Sequence, residues 1–190
     1  MALEVVILAA GKGTRMKSPL PKVLHPVADT PLLQHVINTA ILLEPIACHV
    51  VVGFEGDLVR EQMAQPGVQW VEQTEQLGTG HAVLQALPGI ADDSTVLVLY
   101  GDVPLITEDT LRNLLGQCRD CPALLTAVVA DPTGYGRIER DENGALTGVV
   151  EDKDANASQR AIQEINTGVL VAPAAQLRQW LPLVKNSNKQ

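Results

Sequence analysis

The sequence is poor in aromatic residues, in cysteine and in positive charge. Phenylalanine, tyrosine and tryptophan make up 3% of its 190 residues, so the core must be aliphatic. Its three cysteines cannot all pair, and a reducing compartment is the simpler assumption. Lys and Arg number 14 against 22 Asp and Glu, a formal net charge of −8. That balance disfavours binding to nucleic acid or to anionic membranes, which requires a basic face.

Long apolar runs are missing as well. None approaches the ~20 residues of a membrane-spanning helix, and the amino terminus lacks the basic region of a signal peptide. We therefore expect a cytoplasmic protein. Cys118 and Cys121 have redox spacing, but they should follow a helix, where no N-terminal dipole stabilises a thiolate, and no second pair completes a zinc site.

What the sequence does contain is an alternation of strand and helix patterns, which predicts an α/β fold with a mostly parallel central sheet flanked by helices. Residues 4–8 are almost wholly apolar, as in a central strand buried on both faces. Within residues 134–151 the alternation breaks, and the turn pattern at 141–144 predicts a small antiparallel excursion. Length and 46% hydrophobic content favour one domain over residues 1–190.

A glycine loop follows the predicted central strand. Small residues and glycines allow the backbone after Leu8 to approach a ligand closely, since glycine has no Cβ and accepts positive φ; these residues are Ala9, Ala10, Gly11 and Gly13. Successive N–H groups of such a loop can face a phosphate.

Two cations accompany this loop. Arg15 lies just after the glycines, and Lys22 is carried by a segment that two prolines stiffen, so both charges need little reordering to meet a polyphosphate. A dinucleotide fingerprint is excluded because Met16 occupies its third glycine position. A P-loop is excluded because Gly13, not Ser or Thr, follows Lys12. The pattern predicts a nucleoside triphosphate site.

Asp102 is the metal candidate. After Gly101, it follows the apolar strand predicted over 95–100. A carboxylate at the carboxyl end of a central strand, beside a polyphosphate site, is a natural Mg²⁺ ligand. Asp102 could instead cap the following helix, but Thr107 is adjacent to that helix and suits the cap better. We therefore expect Mg²⁺ as the cofactor.

A second loop, residues 73–82, is rich in glycine and amides. The side chain of Gln73 can both donate to and accept from uracil, which presents two carbonyl groups and one N–H. A polar surface turn explains the same residues equally well, because Gln and Thr are common in loops. Local sequence leaves both interpretations open.

Together these motifs resemble the sugar-phosphate nucleotidyltransferases. The resemblance is carried by residues 8–15, 21–25 and 31–36, and by the Gln-x-x-Gln-x-Gly-Thr-x-His-Ala stretch that begins at Gln73. The chain is most similar to the uridylyltransferase domain of the bifunctional bacterial enzymes that make UDP-N-acetylglucosamine. The resemblance implies a Rossmann-like domain that is incomplete at its carboxyl end and lacks the family's β-helix acetyltransferase domain.

The resemblance also implies roles for individual residues. The nucleotide would be bound by Leu8, Ala9, Ala10, Gly11, Gly13, Gln73, Gly78 and Thr79, with Gln73 and Gly78 at uracil. The sugar would be bound by Thr79, Tyr100, Gly101, Gly136, Glu151 and Asn166. Arg15 and Lys22 would be catalytic, and Asp102 would hold the metal. From local sequence alone, Glu151 would be a solvated surface residue.

The implied reaction joins UTP and N-acetylglucosamine 1-phosphate into UDP-N-acetylglucosamine and pyrophosphate, a step toward peptidoglycan and lipopolysaccharide. The sugar phosphate oxygen is already a nucleophile, so positioning and charge neutralisation suffice without a covalent intermediate. Those two small molecules would be the partners, with no nucleic acid and no membrane. The resemblance implies a parent that is trimeric through its β-helix domain and a monomeric fragment here.

Two alternatives stay open. A relative with the same fold could transfer a thymidylyl or cytidylyl group, and nucleotide competition would distinguish it. A non-catalytic nucleotide-sugar-binding module could share the same loops, and it would bind without turnover.

Overall fold

The computed structural model describes residues 2–11, 13, 16–63, 66–119 and 121–184. Arg15, the predicted catalytic cation next to the glycine loop, lies outside the described residues. The described chain divides into two compact units. One consists of the residues up to Ala123 together with Leu170–Val184, and the other of Leu124–Val169. No helix within these residues is long and apolar enough to cross a membrane.

Strands and helices alternate along most of the chain. The strands are β1 (Leu3–Ala9), β2 (Pro26–Val27), β3 (Thr30–Pro31), β4 (Ala47–Val52), β5 (Val68–Glu72), β6 (Thr95–Tyr100), β7 (Ala123–Val128), β8 (Arg137–Arg140), β9 (Leu146–Val150) and β10 (Glu164–Pro173). The α-helices are α1 (Leu32–Ile41), α2 (Gly56–Gln62), α3 (Thr79–Ala86), α4 (Glu108–Gln117), α5 (Ala157–Arg160) and α6 (Ala174–Trp180). Short 3-10 helices span Lys22–Leu24, Leu87–Gly89 and Leu181–Leu183.

The first unit is organised around β1. Its strands lie in the order β5-β4-β1-β6 and are all parallel, and β1 is hydrogen-bonded to a neighbour on each side. Val5, Val6 and Ile7 are completely buried. One face of the sheet packs against α3 and α6 through an aliphatic cluster that includes Val6 and Leu177. The predicted α/β class, with a mostly parallel sheet flanked by helices, is confirmed.

The antiparallel part of the structure is larger than the sequence predicted. Residues 170–173 of β10 pair antiparallel with β6, at the far side of β6 from β1. The sequence did not indicate this direction, because the apolar pattern of residues 169–173 is the same whichever way the strand runs.

The second unit contains the predicted antiparallel hairpin. β8 and β9 pair antiparallel, and β8 also pairs with β10 at Ile165. Oδ1 of Asp141 accepts hydrogen bonds from the backbone N–H groups of Asn143 and Ala145, each at 2.9 Å, and Gly144 has φ +80°. An Asp side chain that bonds the backbone ahead of it, followed by glycine in a left-handed conformation, closes this turn.

A buried polar cluster lies toward the amino ends of the parallel strands, away from the glycine loop. Glu4 on β1 is 3% exposed, and its Oε2 lies 2.8 Å from Nε2 of His49 on β4. Its Oε1 accepts hydrogen bonds from Ser94 Oγ at 2.7 Å and from the Ala91 N–H at 3.0 Å. Burial raises the pKa of Glu4, but the hydrogen bonds from His49, Ser94 and Ala91 outweigh it, so the pKa lies below its ordinary value.

We expect Glu4→Gln to lower the free energy of unfolding by about 1–3 kcal/mol near neutral pH, because the partners of the carboxylate lose a charged acceptor. Folding lowers the pKa of Glu4 below its ordinary value, so this contribution is present above the ordinary pKa of glutamate and is lost as pH falls through the folded pKa. Urea unfolding of both proteins, at neutral pH and over a series of progressively more acidic buffers, measures it.

The matched control for this prediction is Glu44→Gln, at an exposed position. It should change stability little at either pH. A Glu4→Gln protein as stable as the wild type at neutral pH would contradict a stabilising role for the cluster.

Candidate active site

The glycine loop begins where β1 ends. Leu8, Ala9 and Ala10 are buried, so the chain leaves the sheet directly from its core. Gly13 has φ +58°, and a Cβ added there would lie 2.7 Å from the Cβ of Lys22. Position 13 therefore requires glycine for its backbone conformation and for its approach to Lys22. Gly13 and Lys22 are therefore neighbours in the structure.

Lys22 faces the metal candidate Asp102. Its Nζ lies 2.5 Å from Oδ2 of Asp102, and the two side chains are 39% and 28% exposed. Lys22 begins a 3-10 helix whose next two residues are buried, which anchors its backbone. The Gly101 N–H donates to the Leu8 carbonyl at 2.9 Å, so the pairing of β6 with β1 continues up to the residue before Asp102. Two residues 80 positions apart thus form one ion pair beside the loop.

Gly101 is packed tightly at the end of β6. An added Cβ would lie 3.0 Å from Leu33 Cδ1 and 3.3 Å from the Leu8 carbonyl oxygen. Tyr100, immediately before it, is partly buried against the aliphatic cluster of the first unit. Their predicted role as sugar ligands stays a prediction, but the small residue at 101 lets Asp102 follow β6 without displacing α1.

Gly53, to which the sequence analysis assigned no role, brings the two predicted loops together. It directly follows β4, and an added Cβ would lie 3.1 Å from Ala10 Cβ, 3.1 Å from the Gln73 carbonyl oxygen and 3.0 Å from Gln76 Nε2. The sequence feature that could have revealed this close approach is a glycine at the carboxyl end of an apolar strand. It indicates close approach of another segment, although not which segment.

Gln73 is buried, with 3% of its surface exposed. Its Nε2 donates to the Gly78 carbonyl at 3.2 Å and lies 2.9 Å from His81 Nδ1, so the amide fastens its own loop to the start of α3. Gly78 has φ +105° and precedes Thr79, which is the exposed first residue of α3. The uracil contacts of Gln73 and Gly78, and the sugar contact of Thr79, stay predictions.

The second unit brings its three predicted sugar residues together. A Cβ added at Gly136 would lie 3.4 Å from Glu151 Oε1 and 3.6 Å from Asn166 Cβ. The Asn166 N–H donates to the Gly136 carbonyl at 2.8 Å, and Asn166 Oδ1 accepts from the Gly168 N–H at 2.8 Å. Glu151 is therefore a neighbour of Gly136 and Asn166, rather than an isolated member of a charged run.

The donor set near the loop fits magnesium better than a permanently bound metal. In the part of the chain that the structure describes, no three His, Cys, Asp or Glu side chains form a metal-binding group. Asp102 offers one partly exposed carboxylate. Mg²⁺ commonly takes one or two carboxylates and completes its coordination with water and substrate phosphates. Asp102 would hold such an ion together with a bound nucleotide.

The cysteines offer no obvious nucleophile. Burial raises the pKa of the Cys48 thiol to about 12, so it stays protonated near neutral pH. Cys118 is buried and caps the carboxyl end of α4, and Cys121 is exposed. Cys118 therefore follows a helix, as predicted.

The parallel sheet, the glycine loop and the ion pair beside it are the features of a nucleotidyltransferase domain. Residues 5–182 match the family described as the MobA-like NTP transferase domain, and the chain belongs to that family. The predicted enzyme class, nucleotidyltransferase, is confirmed.

Curated relatives are more similar to this chain than the family match alone indicates. The chain is 58% identical to the bifunctional protein GlmU of Pseudomonas aeruginosa and 56% identical to that of Pseudomonas putida. Each match covers 100% of this chain and 42% of the relative. The resemblance to the bifunctional enzymes is thereby confirmed, and the chain spans less than half the length of these relatives.

Solved structures share the fold at low identity. A nucleotidyl transferase from Methanothermobacter thermautotroptrophicus aligns with TM-score 0.68 and 20% identity over 97% of this chain and 77% of its own. A putative glucose-1-phosphate thymidylyltransferase from Bacillus anthracis, in complex with sucrose, aligns with TM-score 0.76 and 18% identity over 98% of this chain and 77% of its own.

We expect Gly13→Ala to destabilise the protein. A left-handed conformation costs about 1–2 kcal/mol for a residue with a Cβ, and the contact with Lys22 adds to it. Gly116→Ala is the matched control, since Gly116 is exposed within α4 and an added Cβ meets nothing within 4 Å. That change should stabilise by about 0.5–1 kcal/mol. Thermal unfolding should shift in opposite directions, and a Gly13→Ala protein as stable as the wild type would contradict the close approach.

Proposed function

We propose that this chain transfers a uridylyl group from UTP to N-acetylglucosamine 1-phosphate, yielding UDP-N-acetylglucosamine and pyrophosphate. The observation that carries the proposal is the Lys22–Asp102 ion pair beside Gly13. It combines a backbone able to face phosphate, a cation and a carboxylate at the carboxyl ends of parallel strands, where ligands of open α/β sheets bind. The sequence resemblance supports uridine and N-acetylglucosamine as the substrate groups.

In this function, the Lys22–Asp102 ion pair would be exchanged for contacts with the nucleotide. The Lys22 ammonium lies 2.5 Å from the Asp102 carboxylate and neutralises its charge. A triphosphate on the glycine loop gives the ammonium a new anionic partner, because Lys22 Cβ lies beside Gly13. Lys22 can then turn toward the phosphates and leave the carboxylate available to a cation that accompanies them.

The uridylyl transfer requires no side-chain nucleophile. An oxygen of the sugar phosphate forms a bond to the α-phosphorus of UTP while the bond from that phosphorus to the β-phosphate oxygen breaks, and pyrophosphate leaves. Lys22 offsets the charge of the phosphates, and the loop backbone orients them. Mg²⁺, when bound at Asp102, would supply further positive charge at the α-phosphate.

A second candidate is transfer of another nucleotide on the same scaffold. It is favoured by one observation: the amide nitrogen of Gln73 already bonds Gly78 and contacts His81, so a uracil contact by that nitrogen must replace these interactions. Base selectivity is therefore part of the test.

Pyrophosphate release from UTP and N-acetylglucosamine 1-phosphate in the presence of Mg²⁺ tests the proposal. We expect Asp102→Asn and Lys22→Met each to lower kcat by about 10²–10³, the usual loss when one preorganised charge is removed from a transfer site. Asp93→Asn is the matched control, because Asp93 is an exposed carboxylate before β6 whereas Asp102 follows it. It should leave kcat unchanged.

Other outcomes separate the alternatives. Faster turnover of CTP or dTTP than of UTP would assign the chain to another nucleotide. Calorimetric binding of UDP-N-acetylglucosamine without any pyrophosphate release would indicate a binding module. Full activity of Asp102→Asn at limiting Mg²⁺ would remove Asp102 from the metal site.

A further inference from the structure

Arg137 is an unusually placed arginine in the second unit. It is the first residue of β8, and only 2% of its surface is exposed. Its Nη2 donates to Asp152 Oδ1 at 2.8 Å, and its Nη1 donates to the Tyr135 carbonyl. Its Nε is buried with no hydrogen-bond partner among the described residues. Removing a guanidinium from water is costly, and apolar side chains often serve stability as well at such positions.

The two bonds of the guanidinium bracket the predicted sugar residues. Tyr135 directly precedes Gly136, and Asp152 directly follows Glu151. In the β8–β9 ladder Arg137 is paired with Val150, so β9 runs from this register position into Glu151. The guanidinium therefore joins the segment leading into β8 to the segment leaving β9.

The atoms between these two anchors are closely packed. A Cβ at Gly136 would lie 3.1 Å from Val149 Cγ1 and 3.4 Å from Glu151 Oε1. The Gly136 carbonyl also accepts the hydrogen bond from the Asn166 N–H at 2.8 Å. A shift of Tyr135 or Asp152 would therefore move the Gly136 backbone or the Glu151 carboxylate relative to the other.

We propose that Arg137 is a positioning residue for the sugar. Its guanidinium fixes Gly136 and Glu151 at the separation that the hydroxyl groups of the N-acetylhexosamine require. Arg137 does not touch the sugar, because its side chain is buried. This role rests on the proposed function. It explains why a planar fork is used: one guanidinium donates to two acceptors in different directions, which the single ammonium of lysine does less well.

The test measures binding of two ligands by calorimetry, UDP and UDP-N-acetylglucosamine, to the wild type and to Arg137→Met. Misplacing binding groups by about 1 Å can cost on the order of 10²-fold, so we expect Arg137→Met to weaken UDP-N-acetylglucosamine by about 10-fold or more. UDP affinity should stay unchanged, because UDP has no sugar beyond the ribose. Arg137→Lys should recover part of the loss.

Arg140→Met is the matched control. Arg140 ends the same strand and pairs with Glu164 through Nη2 to Oε1 at 2.6 Å, with its side chain 40% exposed. It has no contact with Gly136 or Glu151 among the described interactions. This variant should bind both ligands like the wild type.

Hydrogen exchange of the backbone N–H of Asn166 can be measured without any substrate. That amide donates to the Gly136 carbonyl, so we expect Arg137→Met to speed its exchange while Arg140→Met does not. A wild type that binds neither ligand would refute the proposed function and this role with it. If the wild type binds both ligands and Arg137→Met leaves the ratio of the UDP-N-acetylglucosamine affinity to the UDP affinity unchanged, the positioning role alone is overturned. Equal weakening of both ligands is one such result.

Discussion

The first unit depends on a strand that is paired on both sides and buried on both faces. Because β4 and β6 both run parallel to β1, the three strands end at one edge of the sheet. The glycine loop directly follows β1, Gly53 directly follows β4, and Asp102 lies two residues after β6. A buried strand must hydrogen-bond all its backbone groups, so its register with both neighbours is strongly constrained. The relative positions of the loop and the carboxylate follow from that register.

The negative net charge of the chain also constrains how this edge of the sheet can bind a polyphosphate. With a net charge of −8, the overall field does not attract a polyphosphate. Attraction must come from contacts shorter than the screening length, which is about 8 Å at physiological ionic strength. The pairing of Lys22 with Asp102 keeps a cation at the loop and balances its charge. A nucleotide that arrives with a divalent cation also carries less negative charge.

Features fixed by neighbouring residues were predictable from the sequence. The hairpin turn at Asp141 and the capping of α4 by Thr107, whose side chain accepts from the Thr110 N–H, are confirmed. Each depends on a few consecutive residues. The central strand was also predictable, because burial on both faces leaves a continuous apolar run.

Features that join distant segments were not predictable in the same way. Glu4 within an apolar strand gave no sign of its partner His49, which lies 45 residues later. The Gln73 amide could be expected to hydrogen-bond a nucleobase such as uracil. Its bond to the Gly78 carbonyl, however, depends on how the loop folds. Nothing in the sequence around Arg137 indicates that it is buried and bonded to Asp152. A local pattern carries propensity and periodicity, whereas these contacts depend on which segments become neighbours.

The path of the chain has a consequence for how the protein can form during synthesis. The first unit is discontinuous: it is left at Ala123 and completed by Leu170–Val184, after the whole second unit has been made. Until residues 170–173 emerge from the ribosome, β6 has an unsatisfied edge, and the buried positions next to Val171 and Leu177 lack their covering side chains. Open apolar strand edges are sites of aggregation. While Leu124–Val169 are being made, the nascent chain therefore exposes a surface to which a chaperone would bind and which the finished protein conceals.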